Sequence, residues 1–231
     1  MNKDDIKLQM REVFTAGGVH LREDGEKDNI IEGVAIVVNK ETVLSEHSDW
    51  REVEVIDPSC LNAEFLAEQD IKLNLLHERK DSFARTPNLH VFSREDGLHF
   101  ETEIPDCDLG QRAKALVGNG TYTGCSFEFK PKDYTISERT AADGKTEYVI
   151  RHTAFEKIAA LTIAMDPAYE QTTVNAREIY LAEHPESQAA EKAAQEAAQR
   201  EEEAKAAAQR EQAKRDAQIA RIHREMELLN Q

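Results

Sequence analysis

Gly124-Cys125-Ser126-Phe127-Glu128-Phe129 reads as a β-strand whose two faces differ in chemistry. Side chains alternate along a strand, so Cys125, Phe127 and Phe129 share one face and Ser126 and Glu128 the other. The aromatic face is the one to bury. Cys125 on it is a candidate nucleophile but reads better as a buried structural thiol. Ser126, taken alone, reads as a packing residue.

Working outward, strand-like segments dominate residues 1–182. Ile30 to Val38 is β-branched and apolar enough for a buried strand. Glu52-Val53-Glu54-Val55-Ile56 alternates and stops at Asp57-Pro58. Leu89–Phe92 and Leu98–Ile104 flank a turn at Arg94-Glu95-Asp96-Gly97, which predicts a hairpin. Glu147–His152 and Ile158–Ala164 are two further strands, and Ser137–Gly144 is a polar loop. Short helices are expected at Ala63–Glu68, at Leu109–Val117 before Gly118-Asn119-Gly120, and at Thr173–Ala182. No Gly-rich phosphate loop and no parallel βαβ rhythm is present. The expected class is α+β, a mostly antiparallel β-barrel with short helices.

Composition changes at Glu183. From there to Gln231 the chain has no Gly and no aromatic residue and is built from Ala, Gln, Glu, Lys and Arg, all strong helix formers. This predicts a long C-terminal α-helical tail over 183–231, about 65 Å if helical from Glu186 at ~1.5 Å per residue. Glu201–Lys205 and Glu211–Arg215 are spaced as helical ion pairs. Ile219, Ile222, Met226 and Leu229 form a terminal apolar stripe, read as a docking or self-association handle on an otherwise solvated helix.

Of the formal net charge of −16, the tail carries −3, leaving −13 to the preceding residues. That balance argues against general nucleic-acid binding, which needs clustered Lys and Arg. No apolar run approaches the roughly 18 residues of a membrane span, and Met1-Asn2-Lys3-Asp4-Asp5 lacks the layout of a secretory signal. Cys60, Cys107 and Cys125 are an odd set without CxxC spacing, so neither a disulfide framework nor structural zinc is expected. The chain reads as reduced, soluble and cytoplasmic in type, with no cofactor and no metal.

A nucleophilic serine needs a base. His77, in Leu75-Leu76-His77-Glu78-Arg79-Lys80-Asp81, follows an apolar run and opens what reads as a charged loop. An imidazole there can be half buried and still reach a cleft, although an exposed loop histidine is the simpler reading. His99 and His152 lie in strands and read as satisfied side chains.

The order of short motifs is more specific than any one of them. Ile31-Glu32-Gly33-Val34-Ala35 is followed by Trp50-Arg51-Glu52-Val53 and Ile56-Asp57-Pro58. Then come Leu75-Leu76-His77 with Arg85, Ile104-Pro105-Asp106 with Gly110, Gly124–Phe129, and Pro167-Ala168-Tyr169. Over about residues 28–175 this resembles the prohead (capsid maturation) proteases of tailed bacteriophages, the Hong Kong 97-type serine peptidases. The resemblance implies a barrel of the herpesvirus assemblin type. It also implies Ser126 as nucleophile within the family's Gly-x-Ser-x-Gly-Phe pattern, His77 as general base, and Arg85 as the arginine closing the loop after it. A hydroxyl is inert until an imidazole takes its proton, which is the role the pair would fill.

Two positions depart from the family pattern. The glutamate of its last strand is Ala160 here, and the second glycine of the nucleophile motif is Glu128. If the two strands are neighbours, Glu128 can supply the third catalytic member from the adjacent strand. Glu156 and Glu103 are the other candidates, or the third member is missing. The implied function is a serine endopeptidase that cleaves scaffold segments of the major capsid protein, and itself, inside the procapsid in the host cytoplasm. The alternative is an impaired protease fold acting as scaffold or assembly chaperone. Expected partners are the capsid protein, its scaffold segment and, through the tail, a second copy of the chain, with no nucleic acid and no membrane.

Overall fold

The computed structural model describes residues 9–13, 18–22, 29–76, 78–165, 176–190, 192–194, 196–200 and 205. His77, the Pro167-Ala168-Tyr169 segment, Glu201, Glu211, Arg215 and the terminal apolar stripe lie outside the described residues. The chain divides into two units, Met1–Tyr180 and Leu181–Gln231. In the second, residues 185–190, 192–194, 196–200 and 205 are helical, and Arg200 reaches Glu196 one turn back at 3.9 Å.

The first unit is α+β and built mainly of strands. These are β1 (Gln9–Val13), β2 (Val19–Leu21), β3 (Ile30–Val37), β4 (Thr42–Glu46), β5 (Trp50–Ile56) and β6 (Lys72–Leu75). They continue with β7 (Glu78–Arg85), β8 (His90–Arg94), β9 (Gly97–Glu103), β10 (Gly124–Thr140) and β11 (Thr146–Ala164). The helices of this unit are α1 (Ala63–Ala67) and α2 (Asp108–Gly118), and α3 (Ala176–Glu183) begins in it and ends in the second unit.

The expected barrel is not found closed among the described residues. A seven-stranded sheet runs β1-β10-β11-β5-β4, with β6 and β7 branching from β11, and a four-stranded sheet runs β2-β3-β9-β8. Among the described residues β7 pairs only with β6 and β8 only with β9, so the two sheets are not joined through these edges. One apolar core joins the sheets. Ile31, Ile36 and Phe100 from the smaller sheet pack with Phe127, Phe129 and Leu161 from the larger. Each fully buried side chain of this size stabilises by about 1.5–3 kcal/mol relative to exposure.

Pairing also differs from the antiparallel expectation along β11. The two strands expected at 147–152 and 158–164 are one, long enough to seat two parallel neighbours end to end. β5 pairs with residues 146–152 and β6 with 160–163. Between them the Gln69 side chain accepts from the Ile158 N–H at 3.1 Å, supplying the hydrogen bond that no strand provides there.

The polar loop expected at 137–144 shrinks to a turn closed by the Ala141 N–H on the Lys145 carbonyl, 2.8 Å. Charge pairing extends the strands in its place. Glu147, opposite Arg139, accepts from Arg139 and, at 2.7 Å, from Arg51 on β5. The alternation in β5 is likewise not an inside-outside pattern, since Glu52 and Glu54 are buried along with Val53 and Val55. Glu52 accepts from Ser45 Oγ and from the Arg177 N–H of α3, both at 3.0 Å, and Glu54 meets His152 Nε2 at 2.9 Å. Partners are what make burial of those carboxylates tolerable.

The β8–β9 hairpin, α1 and α2 form where the sequence predicts them. Gly110 is obligatory in α2, because a Cβ there would sit 2.1 Å from the Pro105 carbonyl oxygen.

Candidate active site

β10 alternates as its sequence requires. Cys125, Phe127 and Phe129 enter the core, and Ser126 and Glu128 occupy the opposite face of the sheet. Ser126 stands between Glu12 of β1 and Thr162 of β11, and Glu128 between Met10 and Ala160. Following the register across β11, β6 and β7 gives two rows. One is Ser126, Thr162, Asn74, Ser82; the other is Glu128, Ala160, Lys72, Arg85.

The first row is polar and almost closed to solvent, with Ser126, Thr162 and Asn74 each 1% exposed. Asn74 Oδ1 accepts a hydrogen bond from Ser82 Oγ, tying β6 to β7. Next to this row lies a cavity of about 180 Å³, lined by Glu128, Asn74, Lys72, Asp70, Lys157 and Ala160. Two carboxylates and two ammonium groups therefore share one small space. The Arg85 side chain holds the Asp70 carboxyl below its ordinary range, with Nη2 to Oδ2 at 2.7 Å.

Ser126 and Glu128, both singled out from sequence, thus meet on one face with one residue between them. Glu128 and Ala160 are directly opposite. His77 is outside the described residues, but its neighbours are placed. Leu76 has φ 54° and donates its N–H to Ile163 at 3.1 Å, and β7 begins at Glu78. Ile163 pairs with Cys125, the residue before Ser126. Leu76 therefore lies at the Ser126 end of the sheet. The charged stretch after it, expected as a loop, is strand β7, and Arg85 ends that strand bound to Asp70.

The other candidates for a third member lie apart. Glu156 is exposed and bound to Lys130 at 2.7 Å, and Glu103 ends β9 in the smaller sheet. Cys125 is fully in the core, where burial pushes its thiol up to about 12, far from a reactive thiolate. His99 meets Asp96 at 2.7 Å. His152 meets Glu54 through Nε2, but its buried Nδ1 has no hydrogen-bond partner among the described residues, so the expectation of a satisfied side chain holds for His99 and only in part for His152. Among the described residues no group of His, Cys, Asp and Glu is placed to hold a metal, and no helix is long and apolar enough to cross a membrane.

Sequence reading missed Asn74, Thr162 and Lys72. Asn74 left one trace, a polar residue inside the apolar run Leu73-Asn74-Leu75, but only the register reveals which serine it stands beside.

Ser126 and Glu128 thus lie two residues apart on the polar face of the larger sheet. A family model for serine peptidases matches residues 18–187. The chain belongs to that family, the caudovirus prohead serine proteases. It is also similar to a solved structure of the bacteriophage T4 capsid assembly protease, at 11% identity and a TM-score of 0.40, covering 71% of this chain and 99% of that one. No curated protein matches the chain.

Proposed function

We propose that the chain is an active serine endopeptidase of viral capsid maturation, with Ser126 as nucleophile, His77 as general base and Glu128 as the acid that orients and stabilises the imidazolium. The observation that carries this reading is Glu128 standing opposite Ala160. An acid on the neighbouring strand, about 5 Å across, takes the place of the one the family pattern has lost. In the reaction His77 accepts the Ser126 proton as Oγ attacks the peptide carbonyl, then delivers it to the leaving amine; water releases the acyl group by the same route.

The substrates are scaffold segments of the major capsid protein and the chain itself, and the site of action is the interior of the procapsid. Residues 1–182 are the protease domain, and 183–231 a helical arm that docks on the shell or on a second copy. The test is expression of the full chain with the capsid protein encoded beside it, followed by intact mass. Wild type processes the capsid protein, whereas Ser126→Ala and His77→Ala do not. Equal processing by Ser126→Ala would falsify the reading.

A second reading, a protease fold retained as scaffold or assembly chaperone, is favoured by the near-complete burial of Ser126 at 1% exposure. It requires that wild type leave every protein intact while shell assembly still depends on the chain.

A further inference from the structure

The gap that keeps the sheets from closing is itself a groove of about 1230 Å³. Residues 82–88 form one wall and 101–106 the other. It exceeds the roughly 300–1,000 Å³ usual for small-molecule pockets. Both walls offer strand edges. Among the described residues β7 has no partner strand on its outer side, and beyond Glu101, the last β9 residue paired with β8, Thr102 and Glu103 pair only with β3.

An unpaired edge is a template for another strand unless it is blunted. The first half of β7 is blunted by Lys80 and Asp81, and each half carries one register irregularity, between the Asn74 and Leu75 pairings in the first and at Phe83, between the Leu73 and Asn74 pairings, in the second. The second half, Ser82-Phe83-Ala84, is neutral, and Arg85 after it is occupied by Asp70.

The charges of the groove select the occupant. Arg22 is committed to Glu32 and Glu101. Glu103 and Asp106 are exposed and form no ion pair among the described residues. The groove adjoins the Glu128 cavity. Lys72 lines both, and the Ser82–Asn74 hydrogen bond links their walls.

We propose that this groove binds an extended segment of the substrate polypeptide bearing lysine or arginine, added as a strand to the edge of β7, with its basic side chain against Glu103 and Asp106. The proposal rests on the proteolytic reading for what happens next, cleavage at Ser126. β7 is three strands from β10, about 14 Å at ~4.8 Å per strand, so the segment held here lies several residues from the bond that is cut. Its binding energy serves to align the scissile peptide from a distance.

The test uses the full chain carrying Ser126→Ala and reads binding alone, so an absence of proteolysis does not affect it. The probes are two fluorescein-labelled extended peptides of alternating Thr and Val, one with two lysines and one with two glutamates at the same positions. Anisotropy is expected to show the lysine peptide binding about tenfold tighter, a preference that Glu103→Gln with Asp106→Asn removes. Hydrogen exchange in its presence slows at residues 82–88 and 101–106. The proposal is overturned if the lysine peptide does not bind, if both peptides bind equally, if the preference survives the double substitution, or if protection falls elsewhere.

Discussion

Glu128 and Ala160 face each other across β10 and β11, one strand from where the family pattern has its acid. The pairing turns two separate departures in the sequence into one. On the proposed reading, a carboxylate is moved laterally across the ladder and stays on the face that holds Ser126. If the relocation is functional, the reciprocal exchange is the decisive experiment. Glu128→Gln should lower processing by about 10²–10⁴-fold, in the range of orienting acids in triads, and adding Ala160→Glu should recover part of it. The readout is the rate of product appearance by intact mass. Wild-type rates in Glu128→Gln would remove Glu128 from the machinery.

Thiol chemistry separates Cys125 from the reaction. Burial pushes the Cys60 and Cys125 thiols up to about 12, whereas Cys107 is exposed. Iodoacetamide at mildly alkaline pH should add a single adduct to the native protein, at Cys107, and leave processing intact. A second adduct on Cys125, or loss of activity with labelling, contradicts the placement.

The charged end of the β10–β11 hairpin sets an acid limit. Burial raises the Glu147 carboxyl, but hydrogen bonds from Arg139 and Arg51 outweigh it, and the net direction is down. The neighbouring Glu41 and Asp143 are also lowered, by Arg139 and by the Lys145 backbone amide respectively. A carboxylate depressed in the folded state contributes stability that is complete above its unfolded value of about 4.3 and is lost as pH falls through the folded one. Melting temperature should therefore drop on acidification below about pH 4.3. Glu147→Gln should be less stable at neutral pH and show a shallower acid slope.

Gly97 opens β9 at φ 150°, and a Cβ there would lie 1.8 Å from the Ile36 carbonyl oxygen. Gly97→Ala should destabilise the domain by about 3 kcal/mol or more, measured by urea unfolding, because rigid backbone is on both sides of the clash. A loss below about 1 kcal/mol would mean the hairpin shifts to accommodate it.

Local chemistry carried much of the fold. The turn at Glu95-Asp96, the helix ending near Gly118 and the two faces of Gly124–Phe129 are each set by residues within a few positions. What was not legible depends on partners far away in the chain. Nothing near Glu52 or Glu54 announces that Ser45, Arg177 and His152 will cover them. Residues 153–157 read as a break between strands because the gap between β5 and β6 is filled by a glutamine side chain. The site divides the same way. Ser126 and Glu128 share a face by strand parity alone, whereas Thr162 and Asn74 enter only through the register of β11 and β6.

β11 also has a consequence in time. It is the strand through which β10, β5 and β6 are joined, and it lies almost at the end of the first unit. Its partners are drawn from residues 50–56, 72–75 and 124–140, so the sheet depends on long-range closure that is slow to achieve. During synthesis Ser126 emerges well before Thr162, and until β11 follows, its face lacks both Thr162 and the link to Asn74. On the proposed reading, a nascent or truncated chain therefore carries Ser126 in an unassembled site, and hydrolytic competence is acquired late, with the last strand of the domain.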